Sequence, residues 1–389
     1  MKKLLLAAAL PLLYAAAYAQ EAQPQDTQAQ LDALSARVSA LEGAPAPTTI
    51  ATFNPAIGMA LDSVFEQRGA NAGFQLRAAE LGVEAPVDPY VTGAAIITGS
   101  NSGVDVEEAE AKTTSLPYNL SVRGGRMFAS FGRLSHFHDH ELPMIARPNS
   151  LDTYVGGESQ ADGVEVSYLL PTDLYVNATF GAYNKIGADN NRVNNAGTRR
   201  MSEFTYLGRL DGYADISENQ SLELGLTSAF TPRRVVAGAG GVVTKNDTWR
   251  ALNGVDLTYR YQPASGGMYH GLLWATEVLQ NCERRLDPAT LLPIGRKTSY
   301  AGYSYVQLKA GAHWEPGAML DLTENQDDPA ILTRTATFFA DYSVTEFQHL
   351  RFAYSYAATN TSAPDDHTLM LQWMVVLGHH VHGFDMRSL

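Results

Sequence analysis

The sequence predicts an all-β protein: a transmembrane antiparallel β-barrel of about sixteen strands, preceded by a short periplasmic helix. Two observations carry this prediction. Between Ile57 and Leu377, segments of roughly ten residues alternate apolar and polar side chains, and turn residues separate the segments. The chain also begins with a secretory signal and contains no later run of about eighteen apolar residues. Any membrane span must therefore be made of strands that close into a barrel, because only then is the backbone satisfied in lipid.

Residues 1–19 are predicted to be a signal peptide that is removed from the mature protein. Lys2 and Lys3 give it a basic start, residues 4–17 form a short apolar run, and Ala17-Tyr18-Ala19 is a cleavage site of the small-x-small type. The apolar run is too short to cross a membrane as a helix.

Residues 20–49 are predicted to be a periplasmic linker that contains one short helix. Leu31, Leu34, Val38 and Leu41 follow one another at the a/d spacing of a heptad repeat. An isolated helix of this length is only marginally stable in water. Two interpretations stay open: a small coiled coil that joins the subunits of an oligomer, or a single amphipathic helix that frays. The barrel is assigned to residues 50–389.

The composition suits a barrel and disfavours other classes of protein. The net charge of −13 and the pI of about 5.2 argue against a nucleic-acid partner. A hydrophobic fraction of 45% with a mean hydropathy of −0.16 fits strands in which half of the side chains are polar. Cys282 is the one cysteine, so an intrachain disulfide and a cysteine-based zinc site are both excluded.

The predicted strands each have one apolar and one polar face. Leu222, Leu224 and Leu226 share one side of their strand, whereas Glu223 and Thr227 share the other. Sixteen such segments are found, at 56–64, 74–84, 88–98, 103–113, 119–127, 163–170, 173–183, 203–215, 221–231, 248–261, 267–280, 299–309, 313–322, 331–344, 347–357 and 366–377. Segments 103–113 and 331–344 fit poorly, because Arg334 and several glutamates break the alternation. Short links are predicted to alternate with long polar ones, which is typical of periplasmic turns and outer loops.

The longest link, 128–162, is the third outer loop in this scheme. Here the chain resembles the sixteen-stranded bacterial porins, in which that loop folds inward and narrows the channel. The local motifs that carry the resemblance are Phe53-Asn-Pro-Ala-Ile57, Glu80-Leu-Gly-Val83, Val87-Asp-Pro-Tyr90, Leu116-Pro117, Gly125-Arg126, Phe131-Gly132 and the histidines of the loop. The motifs are similar to those of a poorly characterised branch of porin-like proteins, some of them associated with zinc. The resemblance implies a homotrimer in the outer membrane of a Gram-negative bacterium, in contact with its lipid, and no required cofactor.

The histidines of the loop are a candidate metal site. His136, His138 and His140 alternate with other residues, so they project to one side if the segment is extended, while Asp139 and Glu141 project to the other. Three neutral imidazoles could bind zinc or another divalent transition metal. The alternative interpretation is a polar loop whose histidines form local hydrogen bonds.

Charged residues near the loop are candidates for a constriction. The set consists of Arg123, Arg126, Arg133, Arg147, Glu107, Glu108 and Glu110. Hairpin geometry around Leu116-Pro117 brings strand 103–113 beside strand 119–127, so the glutamates approach the arginines. Arg126 lies three residues after Arg123, so regular alternation places it on the opposite face of the strand, and it faces inward only if Gly124-Gly125 forms a bulge. Opposite charges on facing walls create a field that selects ions. The alternative interpretation is that these residues form structural ion pairs that have no role in selectivity.

A water-filled channel for passive diffusion of small hydrophilic solutes or ions is the function that this architecture favours. Two alternatives stay open: a channel that selects or responds to metal ions, and a structural barrel that does not conduct. An enzyme is not expected, because no convincing catalytic motif is found, and Ser135 and His136 would project to opposite faces of an extended segment, which is poor geometry for a catalytic pair.

Overall fold

The computed structural model describes residues 55–188, 200–234, 236–237, 243–244, 248–267, 269–286 and 293–378. Sixteen strands close into one antiparallel barrel, and two further strands form a separate hairpin. The prediction of a sixteen-stranded all-β barrel is therefore confirmed. The predicted signal peptide and heptad helix lie outside the described residues. Among those residues no helix has the length and apolar character needed to cross a membrane.

All strands are numbered in chain order, and β10 and β11 are the two strands outside the barrel. The barrel strands are β1 (Ala56–Arg68), β2 (Asn71–Asp88), β3 (Val91–Ser100), β4 (Gly103–Thr113), β5 (Leu120–Phe128), β6 (Gln160–Leu169), β7 (Tyr175–Tyr183), β8 (Thr205–Ser217), β9 (Gln220–Thr231), β12 (Arg250–Tyr261), β13 (His270–Leu286), β14 (Pro293–Ala310), β15 (Trp314–Glu324), β16 (Leu332–Thr345), β17 (Gln348–Thr359) and β18 (Asp366–Gly378). The separate hairpin is β10 (Val236–Ala237) and β11 (Val243–Thr244). The part of the chain that the structure describes also contains one α-helix, α1 (Asn149–Tyr154), and two 3₁₀ turns, Asp139–Glu141 and Met201–Glu203.

Each barrel strand pairs with the next barrel strand in the chain, and β1 pairs with β18 to close the ring. The closing ladder runs in continuous register, with Val64 opposite Gln372 and Phe65 opposite Leu371. Closure leaves none of these sixteen strands with an unpaired edge, so all of their backbone groups can be satisfied within the sheet.

The two faces of the sheet have opposite chemistry, as the alternation predicts. On β18 the outward side chain of Trp373 is 55% exposed, whereas the inward side chain of Gln372 is 2% exposed. On β9, Leu224 and Leu226 face outward and Thr227 is buried inside. An apolar outer face and a polar lumen are the arrangement that a lipid bilayer requires of a barrel.

The two strands that fitted poorly are explained by local geometry. On β4, Ile96 pairs with Glu108 and Ile97 pairs with Val106, so Glu107 is an extra residue in a β-bulge. The bulge turns both Glu107 and Glu108 inward. On β16, Arg334 faces outward in the third position of the strand, opposite Leu322.

The predicted strict alternation of short and long links is only partly correct. The outer links β1–β2 and β3–β4 are tight turns, because their ladders continue to Arg68–Asn71 and Ser100–Gly103. β1 and β2 are longer than predicted, β4 has its predicted bounds, and the first two outer links project little beyond the barrel.

Candidate functional site

The link between β5 and β6 lies inside the barrel. Phe131, Leu134, Leu142 and Leu151 of this segment are fully buried and pack with inward side chains such as Leu279 of β13. Residues 129–159, named the inner loop here, therefore have their own apolar core within a lumen whose walls are polar.

The wall holds the backbone of the inner loop at points around the circumference. Three wall arginines donate to backbone carbonyl oxygens of the loop: Arg77 of β2 to Ile145, Arg351 of β17 to His140 (2.9 Å) and Arg250 of β12 to Tyr154 (2.5 Å). Two wall carboxylates accept from backbone N–H groups of the loop: Asp321 from Ser150 (2.9 Å) and Glu277 from Arg133 (3.2 Å). Because these partners come from different strands, the inner loop crosses the lumen and does not lie along one wall.

Arg123 fixes the start of the inner loop. Its guanidinium donates to Glu165 (2.7 Å) and to the carbonyl oxygen of Phe128 (2.8 Å), and it lies 3.6 Å from Glu110. Glu165 also accepts from the backbone N–H of Ser130 at 2.7 Å. Both predicted partners, Arg123 and Glu110, thus lie in the lumen, but they form part of a buried anchor.

Arg133 and Arg147, also predicted for the constriction, take structural positions in the loop. Arg147 donates to the carbonyl oxygens of Leu134 (2.5 Å) and Phe137 (2.7 Å) and to Asp139 (2.9 Å). Burial raises the pKa of Asp139, but the charges of Arg147, Arg77 and His140 and the hydrogen bond from Arg147 together lower it more, so the pKa lies below its usual value. Arg133 forms an ion pair with Glu223 of β9 at 2.9 Å.

Arg126 does not belong to the lumen. The β5–β6 ladder runs without a register shift, so Gly124-Gly125 forms no bulge there and Arg126 faces the outside of the barrel. It forms ion pairs with Asp162 of β6 at 2.8 Å and with Asp105 of β4 at 3.7 Å. Its predicted place in the constriction is therefore wrong.

The three loop histidines do not converge as predicted. The 3₁₀ turn Asp139–Glu141 interrupts the extended segment. The rings of His138 and His140 stack with centroids 5.5 Å apart, whereas the ring of His136 packs on Phe137 at 4.6 Å. Asp139 pairs with Arg147, and Glu141 accepts the backbone N–H of His138 at 3.0 Å. In this geometry the five loop residues do not form a single cluster.

Carboxylates from the wall surround His138 and His140 instead. Nε2 of His138 lies 2.9 Å from Glu108, and its Nδ1 lies 3.1 Å from Glu107 and 3.8 Å from Glu80. Nδ1 of His140 lies 3.0 Å from the other oxygen of Glu80. Burial lowers the pKa of His138, but Glu80 and Glu107 raise it more, and the pKa lies well above its usual value. Burial also lowers the pKa of His140, but the charge and hydrogen bond of Glu80, together with the charge of Glu141, raise it more, so its pKa lies above the usual value.

Glu80 is the member of this cluster that sequence reasoning missed. It lies on the polar face of β2 within the motif Glu80-Leu-Gly-Val83, and β3 separates β2 from the glutamates of β4. Its position on the polar face of the strand predicts that it faces the lumen. Its contact with His138, however, depends on the path of the inner loop.

A cavity of about 340 Å³ lies between the inner loop and the turn ends of β12–β17. Glu141 and Pro143 of the loop form one side. The wall side carries charged residues of both signs, namely Arg260, Lys309, Glu315, Asp341 and Arg351, together with His349. The lumen beside the inner loop is therefore large enough for small solutes and strongly polar.

The fold is that of the outer-membrane porins. OmpT of Vibrio cholerae, an outer membrane protein, aligns with a TM-score of 0.56 and 10% identity, over 85% of this chain and 99% of that one. The outer membrane channel DcaP of Acinetobacter baumannii gives the same four values. OmpF of Salmonella typhi aligns with a TM-score of 0.53 and 10% identity, over 84% of this chain and 97% of that one.

Sequence comparison adds little to the structural match. No family model matches the chain. An uncharacterized protein of Aquifex aeolicus (strain VF5) is 40% identical over 104 residues, which are 27% of this chain and 22% of that protein. The match thus spans less than a quarter of the length of that relative.

Proposed function

We propose that this protein is a channel of the Gram-negative outer membrane that passes small hydrophilic solutes or ions by passive diffusion. The observation that carries the proposal is a closed barrel with an apolar outside and a charged lumen, which the inner loop narrows from within. A polar lumen replaces part of the hydration of a solute, and charges at a constriction select among ions. Passive diffusion of this kind requires neither a catalytic group nor a resident cofactor.

Single-channel recording of the refolded protein in planar bilayers tests this proposal. Discrete conductance steps in KCl and a reversal potential that reports ion selectivity are expected. Correct folding is checked independently by the difference in gel mobility between heated and unheated samples. A barrel that folds by this criterion but gives no conductance steps would be a structural barrel, and the channel proposal would fail.

The contact between the loop histidines and the wall carboxylates favours a second candidate, a channel whose conductance responds to divalent transition metals. His138 and His140 belong to the inner loop, and Glu80, Glu107 and Glu108 belong to the wall. A cation bound between them would change how firmly the loop is held. Micromolar zinc added to an open channel is expected to alter its conductance or its noise, and an unchanged trace would reject this candidate.

A homotrimer is part of the same proposal, and one outward face of the barrel is suited to contact a second copy. The outward faces of β3, β4 and β5 carry no aromatic side chain. Every other barrel strand carries at least one, namely Phe65, Phe74, Tyr168, Phe180, Tyr206, Phe230, Tyr259, Trp274, Tyr300, Trp314, Phe338, Phe352 and Trp373. Tyr90 and Tyr118 occupy the turns below this face. Aromatic girdles mark surfaces that meet the lipid interface, so their interruption indicates a surface that meets protein.

The ion pairs of Arg126 lie on this same face. Its side chain is 34% exposed and its partner Asp162 is 47% exposed. Charges on the lipid side of a barrel are destabilising, by about 2–4 kcal/mol for an arginine at the bilayer midplane. Contact with a second subunit would remove these groups from lipid. Among the structural neighbours, a form of Vibrio cholerae OmpT is a trimer.

A further inference from the structure

We propose that Glu80, Glu107 and His138 form a binding site for one divalent transition-metal cation, which would tie the inner loop to the wall. The three candidate ligand atoms all lie within 4.8 Å of one another. Tetrahedral zinc with bonds of about 2.0–2.1 Å places its ligand atoms about 3.3 Å apart. Nδ1 of His138 is already 3.1 Å from Glu107 and 3.8 Å from Glu80, so small side-chain movements would bring them to this spacing.

The orientation of His138 is the first argument for a ligand. Its Nε2 lies 2.9 Å from a carboxylate oxygen of Glu108, which is suited to accept the Nε2 proton. Nδ1 points toward Glu107 and Glu80, so a cation that displaces its proton would meet the nitrogen lone pair and both carboxylates together. Although His138 is only 3% exposed, this Nδ1 has no partner with hydrogen-bond geometry among the described residues. A carboxylate that holds the far nitrogen of a metal-binding histidine is a common arrangement in metal sites.

The carboxylates are held in position by their second oxygens. The other oxygen of Glu107 accepts a hydrogen bond from the hydroxyl of Thr98, and the other oxygen of Glu80 lies 3.0 Å from Nδ1 of His140. The bulge at Glu107 places this residue and Glu108 on the same inward side of β4. The two ligand oxygens are therefore fixed toward His138 before any cation arrives.

The donor set determines the class of cation. One imidazole nitrogen and two carboxylate oxygens suit Zn²⁺, Co²⁺ or Ni²⁺, whereas Ca²⁺ and Mg²⁺ prefer sites made of oxygen alone. Three protein ligands leave a coordination position for water. The ring of Phe128 packs on His138 with centroids 4.7 Å apart and shields one side of the cluster from solvent.

Metal binding would have a mechanical consequence for the channel. Glu80 and Glu107 belong to β2 and β4 of the wall, whereas His138 belongs to the inner loop. A bound cation would therefore add a link between loop and wall. This site rests on the metal-responsive function proposed above and deepens it, but binding can be measured whether or not the barrel conducts.

The test uses the refolded full chain without an affinity tag, stripped with a chelator and then dialysed against zinc. His379, His380 and His382 lie outside the described residues and are replaced by glutamine in every sample, because they could bind metal by themselves. Elemental analysis and calorimetric titration are expected to show one zinc per chain. His138→Gln and Glu107→Gln should each weaken binding at least tenfold, and Glu108→Gln should weaken it about 10–100-fold, as outer-shell substitutions do.

His136→Gln and His349→Gln are the controls. Both replace lumen histidines outside the proposed site and should leave the affinity for zinc unchanged. Loss of zinc binding in His136→Gln would instead support a site formed by the loop histidines. If the parent protein binds no zinc, or if His138→Gln and Glu107→Gln bind it normally, the proposal is wrong and the cluster is an ion-pair network.

A second measurement uses only the parent protein, so it tests the site even if the variants do not fold. Co²⁺ added to the parent protein should give the visible absorption of a four- or five-coordinate nitrogen–oxygen site, and one equivalent of zinc should abolish it. Absence of this band overturns the proposal without any substitution.

Discussion

At the scale of single residues, Gly132 shows how tightly the inner loop fits its wall. Its φ of +62° lies in the left-handed region, and a Cβ at this position would collide with the carboxylate of Glu277. Gly69 in the β1–β2 turn has a φ of +58°, but a Cβ there meets no atom within 4 Å. The two glycines therefore share a backbone conformation and differ in their surroundings.

We expect Gly132→Ala to disturb the loop and Gly69→Ala to be mild. Both substitutions cost about 1–2 kcal/mol in left-handed backbone strain, but only Gly132→Ala also displaces Glu277 from Arg133 and Tyr303. Limited proteolysis within residues 129–159 and the unfolding temperature measure the difference. Equal effects of the two substitutions would show that the collision is relieved without cost.

Glu165 is the residue on which the loop anchor depends most. It accepts from Arg123, from both the backbone N–H and the hydroxyl of Ser130, and from the hydroxyl of Tyr183. Its side chain is 1% exposed. Glu165→Gln leaves the buried guanidinium of Arg123 without its strongest partner, and breaking a buried pair costs about 3–5 kcal/mol.

Asp366→Asn is the control, because it breaks a more exposed ion pair, with Arg68, where β18 begins. Such pairs contribute about 0–1 kcal/mol. Urea unfolding followed by tryptophan fluorescence should give a much lower midpoint for Glu165→Gln than for Asp366→Asn. Similar midpoints for the two variants would contradict the role assigned to Glu165.

At the scale of elements, the strands follow from the sequence because alternation is a local property. Leu371 and Trp373 face lipid for the same reason that Gln372 faces the lumen, and no distant contact is needed to predict it. The bulge at Glu107 is different, because an extra residue exists only relative to the partner strand. The sequence marked the strand as irregular but did not show which residue is inserted.

The path of the inner loop was less predictable, because distant partners determine it. Ser150 is 171 residues from Asp321, and His140 is 211 residues from Arg351. The loop histidines and the glutamates of β4 were recognised separately as candidates. Their contact, and the part played by Glu80, depends on how the loop folds against the wall, which local pattern does not contain.

The element-scale prediction concerns the arginines that hold the inner loop. In Arg77→Met/Arg351→Met the loop loses donors to the carbonyl oxygens of Ile145 and His140. Each buried hydrogen bond from a charged donor contributes about 1.5–3 kcal/mol. The loop should therefore move more freely, and single-channel records should show larger and noisier conductance.

Arg209→Met is the control for this pair. Arg209 is a buried arginine of the lumen wall, but its partners Asp256, Thr227 and Asp211 are also wall residues. This variant changes the charge of the lumen without releasing the loop, so it should shift ion selectivity more than noise. If all three arginines affected the records equally, lumen charge and not loop tethering would set the conductance.

At the scale of the whole molecule, barrel closure and insertion of the inner loop have different structural consequences. Closure satisfies the backbone of sixteen strands and leaves a wide polar interior. The inner loop fills part of that interior with an apolar core, which includes Leu134, Ile145 and Leu151. In the proposed channel, the inner loop would therefore have more influence than the wall on which solutes pass.

The outer surface leads to a prediction about assembly. Val106 of β4 and Val255 of β12 are both outward valines, 40% and 49% exposed. Val106 lies on the face that lacks aromatic residues, beside Arg126, whose guanidinium donates to its carbonyl oxygen at 3.1 Å. Val255 lies between strands whose outward faces carry Phe230 and Trp274. If a second copy covers only the first face, added bulk there should prevent assembly.

We therefore expect Val106→Trp to prevent assembly of the proposed trimer and Val255→Trp to leave it intact, because an indole at Val255 only adds to a surface that already meets lipid. Oligomeric state is measured by analytical ultracentrifugation in detergent, and the difference in gel mobility between heated and unheated samples shows that each monomer is folded. Cross-linking through Val106→Cys in a Cys282→Ser background gives a readout that needs no bulky substitution. If the parent protein is monomeric, the proposed trimer is wrong. If the trimer stays intact in Val106→Trp and the Val106→Cys variant gives no cross-link, the subunit contact lies on another face.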